Sequence, residues 1–197
     1  MSIILAISGP AAVGKTTICD RLIQEFKPSL SRLVTATTRA PRANEENGID
    51  YYFLSDSEFE TKLSNDCFLE HEMIHGNKYG VLKETILEAQ TLSMDILLNI
   101  DVNGTASLKH FCRNQEELKG QLKTIFIKPQ TLADLNLRLR SRASESEEQI
   151  QIRLDNAKAE ILREREFDFV IESGTRDSDY EKVKTIYLSL SKTEVKS

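Results

Sequence analysis

Gly9-Pro10-Ala11-Ala12-Val13-Gly14-Lys15-Thr16 fits Gly-x-x-x-x-Gly-Lys-[Ser/Thr], the pattern of a phosphate-binding loop. In such a loop successive backbone N–H groups curl around an anion, and the helix that follows adds its positive N-terminal end. Residues 9–17 are then the nucleoside-triphosphate-binding stretch: Gly9, Pro10, Ala11, Ala12, Val13, Gly14, Lys15, Thr16 and Thr17. Lys15 would reach the β- and γ-phosphates, and the hydroxyl of Thr16 would sit on the Mg²⁺ that bridges those phosphates. The flanks agree with this reading. Ser2 to Ser8 is a short apolar, β-branched run of the kind buried on both faces of a parallel sheet. From Thr17 to Phe26, a helical period puts Ile18, Leu22, Ile23 and Phe26 on one face.

The 197 residues are enough for one domain with small insertions. No apolar run approaches the roughly 20 residues of a membrane span, and a signal-type N-terminus is absent, so a cytoplasmic protein without a membrane partner is expected. Cys19, Cys67 and Cys112 are widely spaced and odd in number, which indicates reduced thiols and neither a disulfide framework nor a structural metal. A net charge of −5 argues against a nucleic-acid binder, because phosphate-backbone affinity comes from clustered Lys and Arg.

Strands alternate with helices along the rest of the chain. Strands are expected at Ser31–Ala36, Asp50–Leu54, Cys67–Glu70, Asp95–Asp101, Lys123–Ile127 and Phe167–Ile171. Helices are expected from Ser55, over Leu82–Leu92, from Gly104, and over Thr131–Arg142, Glu148–Arg165 and Asp179–Leu190. Asn47-Gly48 predicts a hairpin, Gly76–Gly80 a loop, and Ser141–Ser146 a polar tip that moves. Ser191–Ser197 reads as a frayed tail. The fold class is α/β, a doubly wound parallel P-loop core with a small β-rich acceptor-binding insertion and a helical lid. Core residues are 1–34, 82–137 and 154–197; residues 35–81 form the insertion and 138–153 the lid.

Two groups of cations stand out. Arg39 and Arg42 share one loop, with Tyr51 and Tyr79 flanking the inserted β unit; guanidinium forks and phenolic hydroxyls suit a second phosphate. Arg138, Arg142 and Arg153 recur where the polar tip meets its helices, and phosphoryl transfer needs cations on the equatorial oxygens. The plainer alternatives are a solvated basic turn and helix-face ion pairs with Glu145, Glu147 and Glu148. His71-Glu72-Met73-Ile74-His75 matches His-Glu-x-x-His, but it begins on an expected strand and runs into Gly76, so it reads as a chance match to a zinc motif.

With these residues in place, the chain resembles the guanylate kinase family over nearly its whole length. The resemblance rests on the loop, Thr37–Arg42, Asn47–Phe53, Phe68–Glu70, Gly76–Gly80, Asn99–Gly104 and Arg138–Arg142. It implies transfer of the γ-phosphoryl of ATP to GMP with Mg²⁺, in a monomer or homodimer. It also implies that Arg39, Arg42, Tyr51 and Tyr79 hold the GMP phosphate while Thr35, Glu70 and Asp101 recognise guanine. A carboxylate accepts guanine N1–H and the exocyclic amine, an arrangement adenine does not offer. The chain departs from the family at Val81 (usually Ser or Thr), Asn99 (usually acidic), Asn103 (usually Gln), Ala11-Ala12 (usually Ser-Gly) and Ser141-Arg142-Ala143 (usually Gly-Arg-Gly). Two alternatives are a catalytically weak guanylate-kinase-like binding module and an enzyme resembling ribose 1,5-bisphosphate phosphokinase, whose family also has Val after Tyr-Gly.

Overall fold

The Ser2–Ser8 run does form the central strand. In a computed structural model that describes residues 2–74, 76–141 and 146–193, β1 (Ile4–Ser8) is buried along its whole length. It lies between β7 (Asp95–Asn99) and β8 (Leu122–Lys128), both parallel to it. With β2 (Leu30–Arg32) and β9 (Phe169–Glu172) the sheet has the order β2-β7-β1-β8-β9. Side chains alternate across a strand, and the two faces of β1 accordingly feed two cores. Leu5 and Ile7 pack with Ile18 and Leu22 of α1 (Lys15–Phe26) and Val183 of α7 (Arg176–Thr193). Ile4 and Ala6 pack with Ile86 of α3 (Lys83–Thr91) and Leu108 of α4 (Val102–Asn114). Each of these Leu, Ile and Val side chains, fully removed from water, contributes roughly 1.5–3 kcal/mol. Among the described residues no helix is long and apolar enough to cross a membrane.

The expected strand Ser31–Ala36 is in fact two strands in two sheets. After β2 the chain leaves the core sheet at Leu33, whose N–H donates to Leu97 O at 3.2 Å, and β3 (Thr35–Thr37) opens a second sheet. That sheet runs β4-β3-β6-β5, with β4 (Tyr51–Phe53), β5 (Phe68–Ile74) and β6 (Asn77–Leu82). The expected hairpin at Asn47-Gly48 is absent, because β4 pairs with β3 in parallel, Thr35 against Tyr51. The turn is still made: Gly48 has φ 81° and donates to Tyr51 O, and Asn47 Oδ1 accepts Phe53 N–H. It folds the connection back on itself instead of joining two antiparallel strands.

Gly76–Gly80, expected as a loop, is largely strand β6, held between β3 and β5. Gly80 is there for packing, since a Cβ on it would lie 2.6 Å from the Phe68 ring. Phe68 in turn stacks on Phe59 of α2 (Asp56–Ser64), with ring centroids 4.3 Å apart. The α2 helix starts where expected, under a capping box between Ser55 and Glu58. α5 (Leu132–Arg140) and α6 (Glu147–Ile161) pack through Leu135, Leu139 and Ile150 against Ala11 and Ala12 of the phosphate loop. The tip between them, including Arg142, lies outside the described residues, as do His75 and residues 194–197.

Candidate active site

The site gathers at the carboxyl ends of β1, β7, β8 and β9, where open parallel sheets place their ligands. Gly9 has φ 138°, and a Cβ there would stand 2.2 Å from Ile127 O, so only glycine lets the loop pass this close to β8. Gly14, at φ 109°, makes the second left-handed step into α1. Ala12 holds a left-handed conformation too, at φ 64°, where most L-residues are strained. Its methyl packs against the α5–α6 pair, which accounts for a side chain at that position. Lys15 Nζ donates to Gly9 O at 2.5 Å and Pro10 O at 2.9 Å, folded back over its own loop.

Thr16 lies on the first turn of α1, and its hydroxyl accepts a hydrogen bond from Asn99 Nδ2 at 3.2 Å. Arg138 reaches from α5 to the same loop. Its guanidinium donates to Val13 O (3.3 Å), Ser173 Oγ (3.1 Å) and Gly174 O (3.2 Å). Ser173 and the Gly174 N–H are themselves held by buried Asp179, at 2.8 and 2.6 Å. A cavity of about 420 Å³ opens here beside Gly14, Thr17, Arg138 and Thr175. Arg153 is exposed on α6 and lines neither of the two site cavities.

A second cavity, of about 590 Å³, lies between the two sheets. Thr35, Tyr51, Glu70, Tyr79, Val81 and Asp101 line it, so five residues expected on the acceptor side from sequence meet in one place. Asp101 is the N-cap of α4: its Oδ1 accepts Gly104 N–H at 2.7 Å, and α4 begins at Val102, two residues ahead of its expected start. Glu70, half-buried on β5, faces Asp101. Burial, then the like charges of Asp101 and Glu72, push its carboxyl from the ordinary 4.5 up to about 7.

Arg39 and Arg42 do not line this cavity. Arg39 stands at its edge, its guanidinium 5.4 Å from the Tyr51 ring centroid and paired with Glu45 at 2.9 Å. The Glu45 carboxylate, held below its usual range by Arg39, also accepts the backbone N–H of Arg42. One carboxylate thus ties both arginines of the loop together. His71 and Glu72 sit on strand β5, where neighbours point to opposite faces, and not on the helix a His-Glu-x-x-His zinc site requires. Cys19 is buried, which pushes its thiol up to about 12 and leaves it inert.

Three features of the site are absent from the sequence reading. The Ser173–Gly174–Asp179 bracket under Arg138 was hidden because Asp179 reads as a helix start; the small-residue run after β9 is the signal for it. Glu160, on the last turns of α6, has a carboxyl raised by burial and drawn down by Lys15, so it belongs to the loop's surroundings. Arg163 donates to Asn103 Oδ1 at 2.7 Å and fixes the start of α4. Both residues look like ordinary helix-face charges in sequence.

A glycine-rich loop and a carboxylate-lined cavity thus lie side by side at this end of the core sheet. The Guanylate kinase family model matches residues 2–190. This chain belongs to the guanylate kinase family. The guanylate kinase of Chlorobaculum tepidum is 39% identical over 168 residues, covering 85% of this chain and 83% of that one. The guanylate kinase of Rhizobium meliloti is 38% identical over 184 residues, 93% of this chain and 81% of that protein. The crystal structure of guanylate kinase from Anaplasma phagocytophilum superimposes with a TM-score of 0.65 at 28% identity, covering 95% and 85% of the two chains. Membership makes the protein a kinase, and the doubly wound core with its second sheet is the fold of that family.

Proposed function

We propose that this protein transfers the γ-phosphoryl group of ATP to GMP, giving ADP and GDP. The observation that carries this reading is the position of Asn99. Its amide bonds Thr16 in the phosphate loop, and the same residue lines the cavity that contains Glu70 and Asp101. One side chain therefore borders both halves of the site, which supports two nucleotides meeting phosphate to phosphate.

In this reaction an oxygen of the GMP phosphate attacks the γ-phosphorus, and the bond to the bridging oxygen breaks with its electron pair leaving on ADP. The acceptor phosphate is already a nucleophile near neutral pH, so positioning and cations do most of the work. Lys15 leaves the carbonyls of Gly9 and Pro10 for the β- and γ-phosphates. Arg138, Arg142 and Arg153 supply the cations that phosphoryl transfer needs. Arg39, Arg42, Tyr51 and Tyr79 hold the acceptor phosphate, and Thr35, Glu70 and Asp101 read guanine.

The hydroxyl oxygen of Thr16 and the amide of Asn99, at the mouth of the loop, suit a hard cation. Mg²⁺ held there with ATP would neutralise charge on the donor phosphates. The reading divides the chain into a donor core (1–34, 82–137, 154–197), an acceptor lobe (35–81) and a lid (138–153). It takes the protein as a cytoplasmic monomer or homodimer with no nucleic-acid or membrane partner. A coupled assay with ATP against GMP, AMP, UMP and ribose 1,5-bisphosphate tests it. GMP is the expected acceptor, and preference for any of the others overturns the assignment.

A further inference from the structure

Glu70 is the residue of the acceptor cavity least accounted for by its own surroundings. Among the described residues no side chain or backbone group donates a hydrogen bond to its carboxyl, and no Lys or Arg lines the cavity. Its Oε2 is pressed against the start of α4, where a Cβ on Gly104 would lie 1.7 Å away. The charged groups that act on it are Asp101 from the α4 N-cap and Glu72 from its own strand, and His71, Tyr51 of β4 and Tyr79 of β6 are the other titratable groups that line the cavity. Asp101 offers no relief, since its Oδ1 is already taken by Gly104 N–H. A carboxyl confined with like charges and no donor keeps a proton far more readily than one in water.

The two forms of such a carboxyl recognise different bases. A carboxylate is acceptor-only, and fits the two donors of guanine, N1–H and the exocyclic N2–H. A carboxylic acid has one O–H donor and one acceptor oxygen, and fits adenine, whose N1 accepts and whose N6 amine donates. Nothing nearby overrules this choice. Val81, the cross-strand partner of Glu70, offers neither donor nor acceptor to the substituent at C6. Thr35 carries a hydroxyl that can donate to guanine O6 or accept from adenine N6.

We propose that the protonation state of Glu70 sets the base specificity of this site: the carboxylate form selects GMP, and the acid form admits AMP. The inference rests on the acceptor assignment above. The half-titration of Glu70 near pH 7 puts both forms within reach of ordinary buffers.

Calorimetric titration of GMP and AMP into the ligand-free protein, from about pH 8 to about pH 6, tests the proposal. The ratio of the two affinities is read, because the 5′-phosphate also gains a proton in this range and its contribution is common to both ligands. Moving a single controlling proton from mostly off to mostly on should lower the GMP/AMP ratio by about 100-fold, tenfold from each ligand. Glu70→Gln, with an amide donor and acceptor fixed in place, should show a flat ratio and AMP binding near that of the acidic wild type. A flat wild-type ratio with GMP still preferred overturns the proposal and leaves the acceptor assignment intact. An equal fall in wild type and Glu70→Gln assigns the proton to another group and also overturns it. GMP binding no tighter than AMP at every pH defeats the acceptor assignment itself.

Discussion

The carboxylate of Glu70 and the α-carbon of Gly104 are in contact with no room for another carbon between them. A Cβ built on Gly104 would be 1.7 Å from Glu70 Oε2 and 2.5 Å from Ile100 Cγ1. Ile100 is buried and cannot give way cheaply, so the pressure falls on Glu70. In Gly104→Ala the gain in helix propensity, about 1 kcal/mol, offsets much of the packing cost, about 1–3 kcal/mol. Stability should therefore change little while acceptor binding suffers. We expect the KM for GMP to rise about tenfold to 100-fold with the KM for ATP nearly unchanged. Steady-state kinetics with each substrate varied in turn checks this, and an equal rise in both constants would point to a general disturbance instead.

The raised titration of Glu70 also makes a statement about stability that needs no substrate. In the folded protein it holds its proton up to about pH 7, whereas in the unfolded chain it releases it near 4.5. The stabilisation from the protonated form is thus complete below about pH 4.5 and is lost as pH rises through 7. Glu70→Gln is insensitive to that loss. Ligand-free Glu70→Gln should gain on wild type between about pH 5 and pH 8, by on the order of 1–3 kcal/mol after allowance for partial exposure. At roughly 2–4 °C per kcal/mol for a chain of this size, the difference in Tm should grow by several degrees. Melting curves showing a constant difference across that range would refute the linkage.

The glycine-rich loop was readable because its signals are local. Gly9 to Thr16 carries its own turn geometry, anion cradle and helix start within eight residues, and the Ser55–Glu58 capping box is equally self-contained. The cavity between the sheets was readable in five of the residues that line it and less so in its framework. Asn47-Gly48 does make a turn, but the partner of β4 is β3, more than ten residues earlier, and no local signal announces a parallel pairing. Gly80 reads as a loop residue, yet its role is set by the ring of Phe68 on another strand. Asp179 reads as a helix start and instead braces Arg138 through Ser173 and Gly174. What was missed in each case is decided by a contact distant in sequence.

Asn99 occupies a position where an acid would treat Thr16 differently. The amide donates to the Thr16 hydroxyl at 3.2 Å and so consumes one of its two lone pairs. A carboxylate would instead accept the Thr16 proton, free that lone pair and add a negative charge beside the loop. Asn99 is exposed, so the swap carries little packing cost. We expect Asn99→Asp to lower the Mg²⁺ concentration needed for half-maximal ATP binding by about threefold to tenfold, the worth of one hydrogen bond. Titration of ATP affinity against Mg²⁺ by calorimetry reads this directly. An unchanged Mg²⁺ dependence would show that Thr16 and Asn99 do not govern cation binding.

Val81 stands opposite Glu70 on the neighbouring strand, buried, and lines the cavity between the two sheets. A hydroxyl at this position could donate to guanine O6, so its absence should cost GMP about one hydrogen bond, on the order of 0.5–1.5 kcal/mol, less if Thr35 or a water replaces it. That corresponds to at most about tenfold in affinity. Val81 also packs with Leu33, Leu69 and Ile86, and Ser would lose both methyls from that cluster where Thr keeps one. Val81→Thr is therefore the cleaner variant. It should lower the KM for GMP several-fold, leave the KM for ATP nearly unchanged, and cost less stability than Val81→Ser. Glu70→Gln at about pH 8 is the opposing control, since an amide has one acceptor oxygen for guanine's two donors and should raise the KM for GMP far more than Val81→Thr lowers it. If Val81→Thr leaves GMP kinetics untouched and Glu70→Gln is silent as well, the base does not lie between these two strands, and the cavity serves an acceptor other than a guanine nucleotide.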